Sequence, residues 1–227
     1  MKDVTIVLGN KNYSSWSLRG WLAVVQSGLS YDEIVIPLRG PDTKAEILRH
    51  SPSGKVPALI AGDQVIWDSL AIGEFLAERC PEAGLWPADP AARAQARAVT
   101  AEMHSGFAAL RTNMPMIFNG HHPGLGRAEG VAEDIARIQE IWTDCRARFG
   151  SGGDFLFGAF CLADAAYAPV VSRFATYDVE LEPTAAAYRD AVLAYPAMVA
   201  WRDAAAAEPW TIDFPQLAQA PAAPRPQ

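Results

Sequence analysis

Lysine is absent from residue 56 to the end of this 227-residue chain, cysteine occurs three times and never before position 80, and no basic stripe exists anywhere. The missing stripe argues against a nucleic-acid role. Net charge is −7, with 8 Lys+Arg against 9 Asp+Glu in residues 1–80 and 11 against 17 in the remainder, so the surface repels phosphate. Long apolar runs are lacking too: none approaches the roughly 20 residues of a membrane span, and the N-terminus has no basic-then-apolar leader pattern. A cytoplasmic protein without membrane contact is the expectation. Cys80, Cys145 and Cys161 are odd in number and widely spaced, which fits reduced thiols rather than a disulfide framework. No CxxC or Cys/His cluster occurs, and His121-His122 sits beside Pro123 and Gly124 as an exposed loop would, so no metal is expected.

What is present is half apolar and one-fifth charged, enough for one large core or two small ones. Residues 4–8, VTIVL, form a β-branched run suited to a buried strand. After the turn in residues 9–19, GNKNYSSWSLR, apolar Leu18, Trp21, Leu22 and Val25 recur on one helix face until Gly28 stops it. YDEIVIPL then reads as a strand with Ile34 and Ile36 on one side and Val35 on the other. A strand-helix-strand unit implies a parallel pair with a crossover helix. A short helix over 44–50, a hairpin with strands at 58–60 and 65–67, and a helix from Leu70 complete a βαβαββα order.

Beyond Pro90 the texture is alanine-rich, with helical windows at 91–112, 128–148, 162–176, 184–194 and 196–207. The organisation predicted is an α/β domain over 1–81, a proline-bearing linker over 82–90, an all-helical domain over 91–217, and a loose tail over 218–227, where AQAPAAPRPQ has nothing large to bury.

Three stretches can carry chemistry. The turn packs Ser14, Ser15 and Ser17 into four positions at a helix mouth, where hydroxyls cap the helix or donate to an anion. Val56-Pro57 opens a strand with a residue that lacks a ladder donor; a cis bond there turns the Val56 backbone outward, free to pair with an extended peptide. Asp68 and Ser69 precede a helix, with Ser69 the expected N-cap and Asp68 an acceptor for an ammonium beside it; free amides at such an end hold a carboxylate.

In this order, the hydroxyl turn, SPSGKVPALIAGDQVIWDSLAIGEFLAER and the helical second half resemble the cytosolic glutathione S-transferase family over nearly the whole chain, from about Val4 to Trp210. The resemblance implies a thioredoxin-like first domain, an all-α second one, a homodimer, and glutathione as co-substrate in thiol activation for detoxification. It assigns the Val56 backbone to the cysteinyl part of glutathione, with Pro57 cis. Asp68 and Ser69 fall to its γ-glutamyl end, and Lys55 lies near its glycine end. Ser14 and Ser15 are the first candidates to contact the thiolate. Ungapped counting from Leu18 and Leu22 places Asn12 where serine-type relatives carry their hydroxyl, and Tyr13 is a further donor. The absence of cysteine before Cys80 argues against the redox role of cysteine-bearing relatives.

The second substrate is expected between the domains, against Trp16, His104, Phe107, Arg111, Met114, Met116 and Phe118, with His104 and Arg111 favouring an anion. A stripe of this kind is also what ordinary core looks like. The expected activity is a transferase attacking a small electrophile. The alternatives are an isomerase of the maleylacetoacetate type and a non-catalytic glutathione-fold protein. A family Ser/Thr-x-x-Asp capping box appears here as Cys161-Leu-Ala-Asp164, with a thiol as the weaker acceptor.

Overall fold

The computed structural model describes residues 2–217, the side chain of Gln216 excepted; the tail expected to be loose, 218–227, lies outside the described residues. The chain runs β1 (Val4–Gly9), α1 (Ser15–Ser27), β2 (Tyr31–Ile36), α2 (Thr43–Leu48), β3 (Ala58–Ala61), β4 (Gln64–Trp67) and α3 (Ser69–Arg79). The sheet order is β2-β1-β3-β4; β1 and β2 are parallel, and β1-β3 and β3-β4 antiparallel. This is the expected βαβαββα, thioredoxin-like arrangement. Alternation along β1 divides the sheet into two faces. Val4, Ile6 and Leu8 turn to α1 and α3, while Val7 joins Ile36, Ile47 and Ala58 on the α2 side. In β2, Ile34 packs with that second cluster and Val35 with the first, as the alternation in YDEIVI predicts. Gly28 ends α1 at φ 73, in the left-handed region that glycine enters without steric cost.

The second domain is all-helical: α4 (Pro90–Ser105), α5 (Ala108–Asn113), α6 (Val131–Phe149), α7 (Leu162–Thr176), α8 (Pro183–Ala194) and α9 (Pro196–Ala206). The single helix predicted over 91–112 is broken in two. Gly106 leaves helical geometry and Phe107 sits at φ 56, so α4 stops at Ser105 and α5 starts afresh. Phe107 itself is buried, which holds this uncommon backbone in place.

The helix α7 is buried on every side except at Ala175, as a central helix requires. It starts with the capping box: Asp164 accepts from the Cys161 amide at 2.9 Å, while the Cys161 thiol faces the amide of Asp164. Asp164 also accepts from Leu156 N at 3.1 Å and Tyr188 Oη at 3.0 Å. Apolar contacts run without interruption from β1 through α1 and α3 to α7 and α9, so the two domains share one core. All three cysteines are free thiols.

Candidate active site

The first domain's loops and the start of α3 border a cleft of about 570 Å³ that α4 closes from the second domain. Ser53, Lys55, Val56 and Pro57 form one wall; Trp67, Asp68 and Ser69 form another. Trp16 from α1 and His104 from α4 complete it. Val56-Pro57 is cis, and the Val56 N–H and C=O have no hydrogen-bond partner among the described residues. Pro57 packs on Gly20 of α1: a Cβ at Gly20 would lie 2.8 Å from Pro57 Cγ, so only glycine permits this approach without a shift.

The N-cap of α3 is Asp68, not Ser69. Asp68 adopts φ 75 and its carboxylate accepts from Leu70 N at 2.8 Å, leaving Ser69 as the first helical residue, at the border of the cleft. Asx side chains tolerate that conformation and reach the amide two residues on, which a serine hydroxyl does more weakly. The second oxygen of Asp68 lies 3.3 Å from His104 Nε2, and the His104 ring meets Trp16 edge-on at 5.0 Å. Trp16 is flanked by cations: the guanidinium of Arg19 lies 4.5 Å and that of Arg111 4.7 Å from its ring.

The turn residues separate in their surroundings. Ser14 caps α1 from a buried position, accepting from Ser17 N at 3.3 Å and donating to Ser17 Oγ at 2.8 Å. Ser17 Oγ accepts in turn from Gly9 N. Asn12 faces the second domain: its Oδ1 accepts from Asn119 N at 2.9 Å and its carbonyl from Phe118 N at 2.9 Å. Ser15, the first residue of α1, is half-buried and its hydroxyl has no partner among the described residues. The backbone amides of Ser15 and Trp16 are the free donors of that helix end.

Of the proposed pocket walls on the second domain, His104 lines the cleft and Arg111 braces it, donating to the His104 and Gly106 carbonyls at 3.2 Å. Phe107, Met114 and Met116 are buried in the common core, and Phe118 is partly buried against it.

Sequence reasoning passed over three contributors. Ser53 and Trp67 line the cleft, and Trp67 is among the exposed large apolar side chains, at 47 %. Arg19 was visible as the residue three positions after Trp16 on α1, hence on its face. Arg19 is 5 % exposed, and the ordinary arginine value is pulled down to about 9 by desolvation first, then by Arg173 and Arg111. Even so it stays a cation at neutral pH.

Residues 13–79 match the family described as glutathione S-transferase, N-terminal domain, and residues 128–204 that described as glutathione S-transferase, C-terminal domain. A probable maleylacetoacetate isomerase of Caenorhabditis elegans is 27% identical over 173 residues, covering 74% of this chain and 78% of that protein. Glutathione S-transferase Z2 of Arabidopsis thaliana is 27% identical over 184 residues, covering 76% and 80%. Among solved structures, a glutathione transferase homologue from Burkholderia with bound glutathione superposes with a TM-score of 0.69 at 21% identity, over 90% of this chain and 99% of that one.

Proposed function

The chain belongs to the glutathione S-transferase superfamily, and from that premise we propose that it is a glutathione-dependent enzyme acting as a cis-trans isomerase of the maleylacetoacetate type. The observation that carries glutathione binding is the pairing, across one cleft, of the unpartnered Val56 backbone with the start of α3 at Asp68 and Ser69. The Val56 N–H and C=O suit a peptide backbone. Ser69 and the amide end of α3 suit a carboxylate, Asp68 an ammonium, and Lys55 a second carboxylate at the opposite end.

Bound there, glutathione supplies a thiolate that adds reversibly to a conjugated double bond and so permits rotation. This chain's task is to hold the sulfur ionised. We assign that to the Ser15 hydroxyl, with the free amides of Ser15 and Trp16, in preference to Ser14, whose proton goes to Ser17. A thiol with pKa about 8.5 needs ~2.7 kcal/mol of preferential stabilisation to fall two units. One charge-assisted hydrogen bond of about 1.5–3 kcal/mol and a helix-end contribution of about 0.3–1 kcal/mol suffice.

Isomerisation is favoured over conjugation for two reasons. Curated relatives matched over more than three-quarters of their length include a probable maleylacetoacetate isomerase. In addition, of the expected electrophile walls Phe107, Met114 and Met116 are committed to the core, while His104 lines the cleft beside Trp16 and Arg111 stacks on Trp16, a setting that suits a small anionic acid. The test is to incubate a cis-configured maleyl ketoacid with a catalytic amount of glutathione. Trans product with the thiol unconsumed is expected. Stoichiometric loss of thiol to a conjugate returns the transferase reading, and failure to bind glutathione in calorimetry returns the non-catalytic one. A homodimer is part of the same proposal, to be checked by sedimentation.

A further inference from the structure

Next to the cleft, α1, α3, α4 and α7 border a small, partly open chamber of about 20 Å³, room for one small group, lined by Arg19, Ser69, Thr100 and His104 with the apolar Leu162 and Ala166. Two of its polar side chains lack partners among the described residues: Arg19 Nε and Nη1, and Thr100 Oγ1. Trp16 covers one face of the Arg19 guanidinium, but a ring offers no in-plane acceptor. Arg111 and Arg173 stand near enough to disfavour the charge on Arg19, and both spend their own hydrogen bonds on backbone carbonyls. The neighbouring carboxylate, Asp68, is engaged by Leu70 N and His104 Nε2. A water molecule in the chamber would meet the hydrogen-bond demand yet leave the buried positive charge uncompensated, whereas an anion meets both.

We propose that this chamber is an anion subsite taking a single monovalent negative group, held by Arg19 and Thr100. Ser69 and His104 belong to both the chamber and the cleft, so the group arrives either as a free halide or as the carboxylate of a molecule lying in the cleft. The proposal does not depend on which reaction the cleft performs.

Thermal unfolding of the wild type, Thr100→Val and Arg19→Met across a bromide series, with crystals soaked in bromide, tests the free-ion source. Co-crystals with fumarate or glutathione, and their dissociation constants for the same three proteins, test the carboxylate source. A free ion gives an anomalous bromide peak in the chamber. It also gives a saturable rise in Tm, on the order of 5 °C at a hundredfold excess over Kd, that both variants lose. A carboxylate source places a ligand oxygen on Arg19, with affinity at least about tenfold weaker in both variants. Thr100→Val is close to isosteric, so its result stands even where Arg19→Met folds poorly. A chamber holding only water, with all three proteins responding alike to bromide and to the carboxylates, overturns the subsite. None of these readouts uses turnover, so they remain distinct from a failed isomerase assay.

Discussion

Two adjacent serines differ because one residue of rotation on a helix cap changes what a hydroxyl can do. Ser14 closes α1 by accepting from Ser17 N and passing its proton to Ser17 Oγ; Ser15 begins the helix with a hydroxyl that has no partner among the described residues. Substitution should therefore separate stability from chemistry. Ser14→Ala is expected to lower stability by about 1 kcal/mol, the usual cost of a lost cap, with little change in the ionisation of bound glutathione. Ser15→Ala should leave the melting temperature nearly unchanged and raise the pKa of the bound thiol by roughly one to two units, read from thiolate absorbance. If Ser14→Ala alone moves the thiol pKa, the assignment to Ser15 fails. The sequence showed that a hydroxyl-rich turn lies there. It did not show which oxygen was already spent, because that depends on the Oγ–Oγ contact three residues along.

At the scale of the element, the start of α7 concentrates polar demand in the common core. Asp164 is fully buried and takes three donors, from Leu156, Cys161 and Tyr188. Burial raises its pKa from 3.8 to about 6 despite those hydrogen bonds. The folded protein therefore binds this proton more tightly than the unfolded chain. Its contribution to stability is fully present below pH ~4 and fades as pH rises to about 6. Relative to Asp164→Asn, which does not titrate, the wild type should lose up to about 3 kcal/mol between those limits, measured by denaturant unfolding at several pH values. A difference between the two proteins that is flat with pH would contradict this. The same cap offers a gain. Replacing the Cys161 thiol by the better acceptor in Cys161→Ser should stabilise by ~1 kcal/mol, and an unchanged or lowered melting temperature would count against it.

Across the whole molecule, the far end of the chain returns to the turn. Glu208, two residues past α9, accepts the amides of Lys11 at 2.8 Å and Asn12 at 3.3 Å, and Trp201 Nε1 donates to the Lys11 carbonyl at 3.0 Å. Lys11 pairs with Glu33 at 2.6 Å, which also accepts from Trp21 Nε1. Glu208→Ala is expected to cost about 1–2 kcal/mol of stability and to speed hydrogen exchange at the Lys11 and Asn12 amides. It should also raise the bound thiol's pKa while leaving glutathione affinity in place. Unchanged exchange at both amides would show that the turn is held without this strap. By itself the sequence determined the strands, the helices other than the α4–α5 pair, and their order. Alternation in VTIVL and YDEIVI, the stop at Gly28 and the hairpin around Gly62 are local patterns that the backbone reads within a few residues. The tertiary structure decided what depends on residues far apart in the chain: the break at Gly106-Phe107, the anchoring of Lys11 by Trp201 and Glu208, and the stranding of Arg19 between four helices. Whether a charge is solvated, paired or left without an acceptor is set by what packs around it, and spacing along the chain carries no record of that.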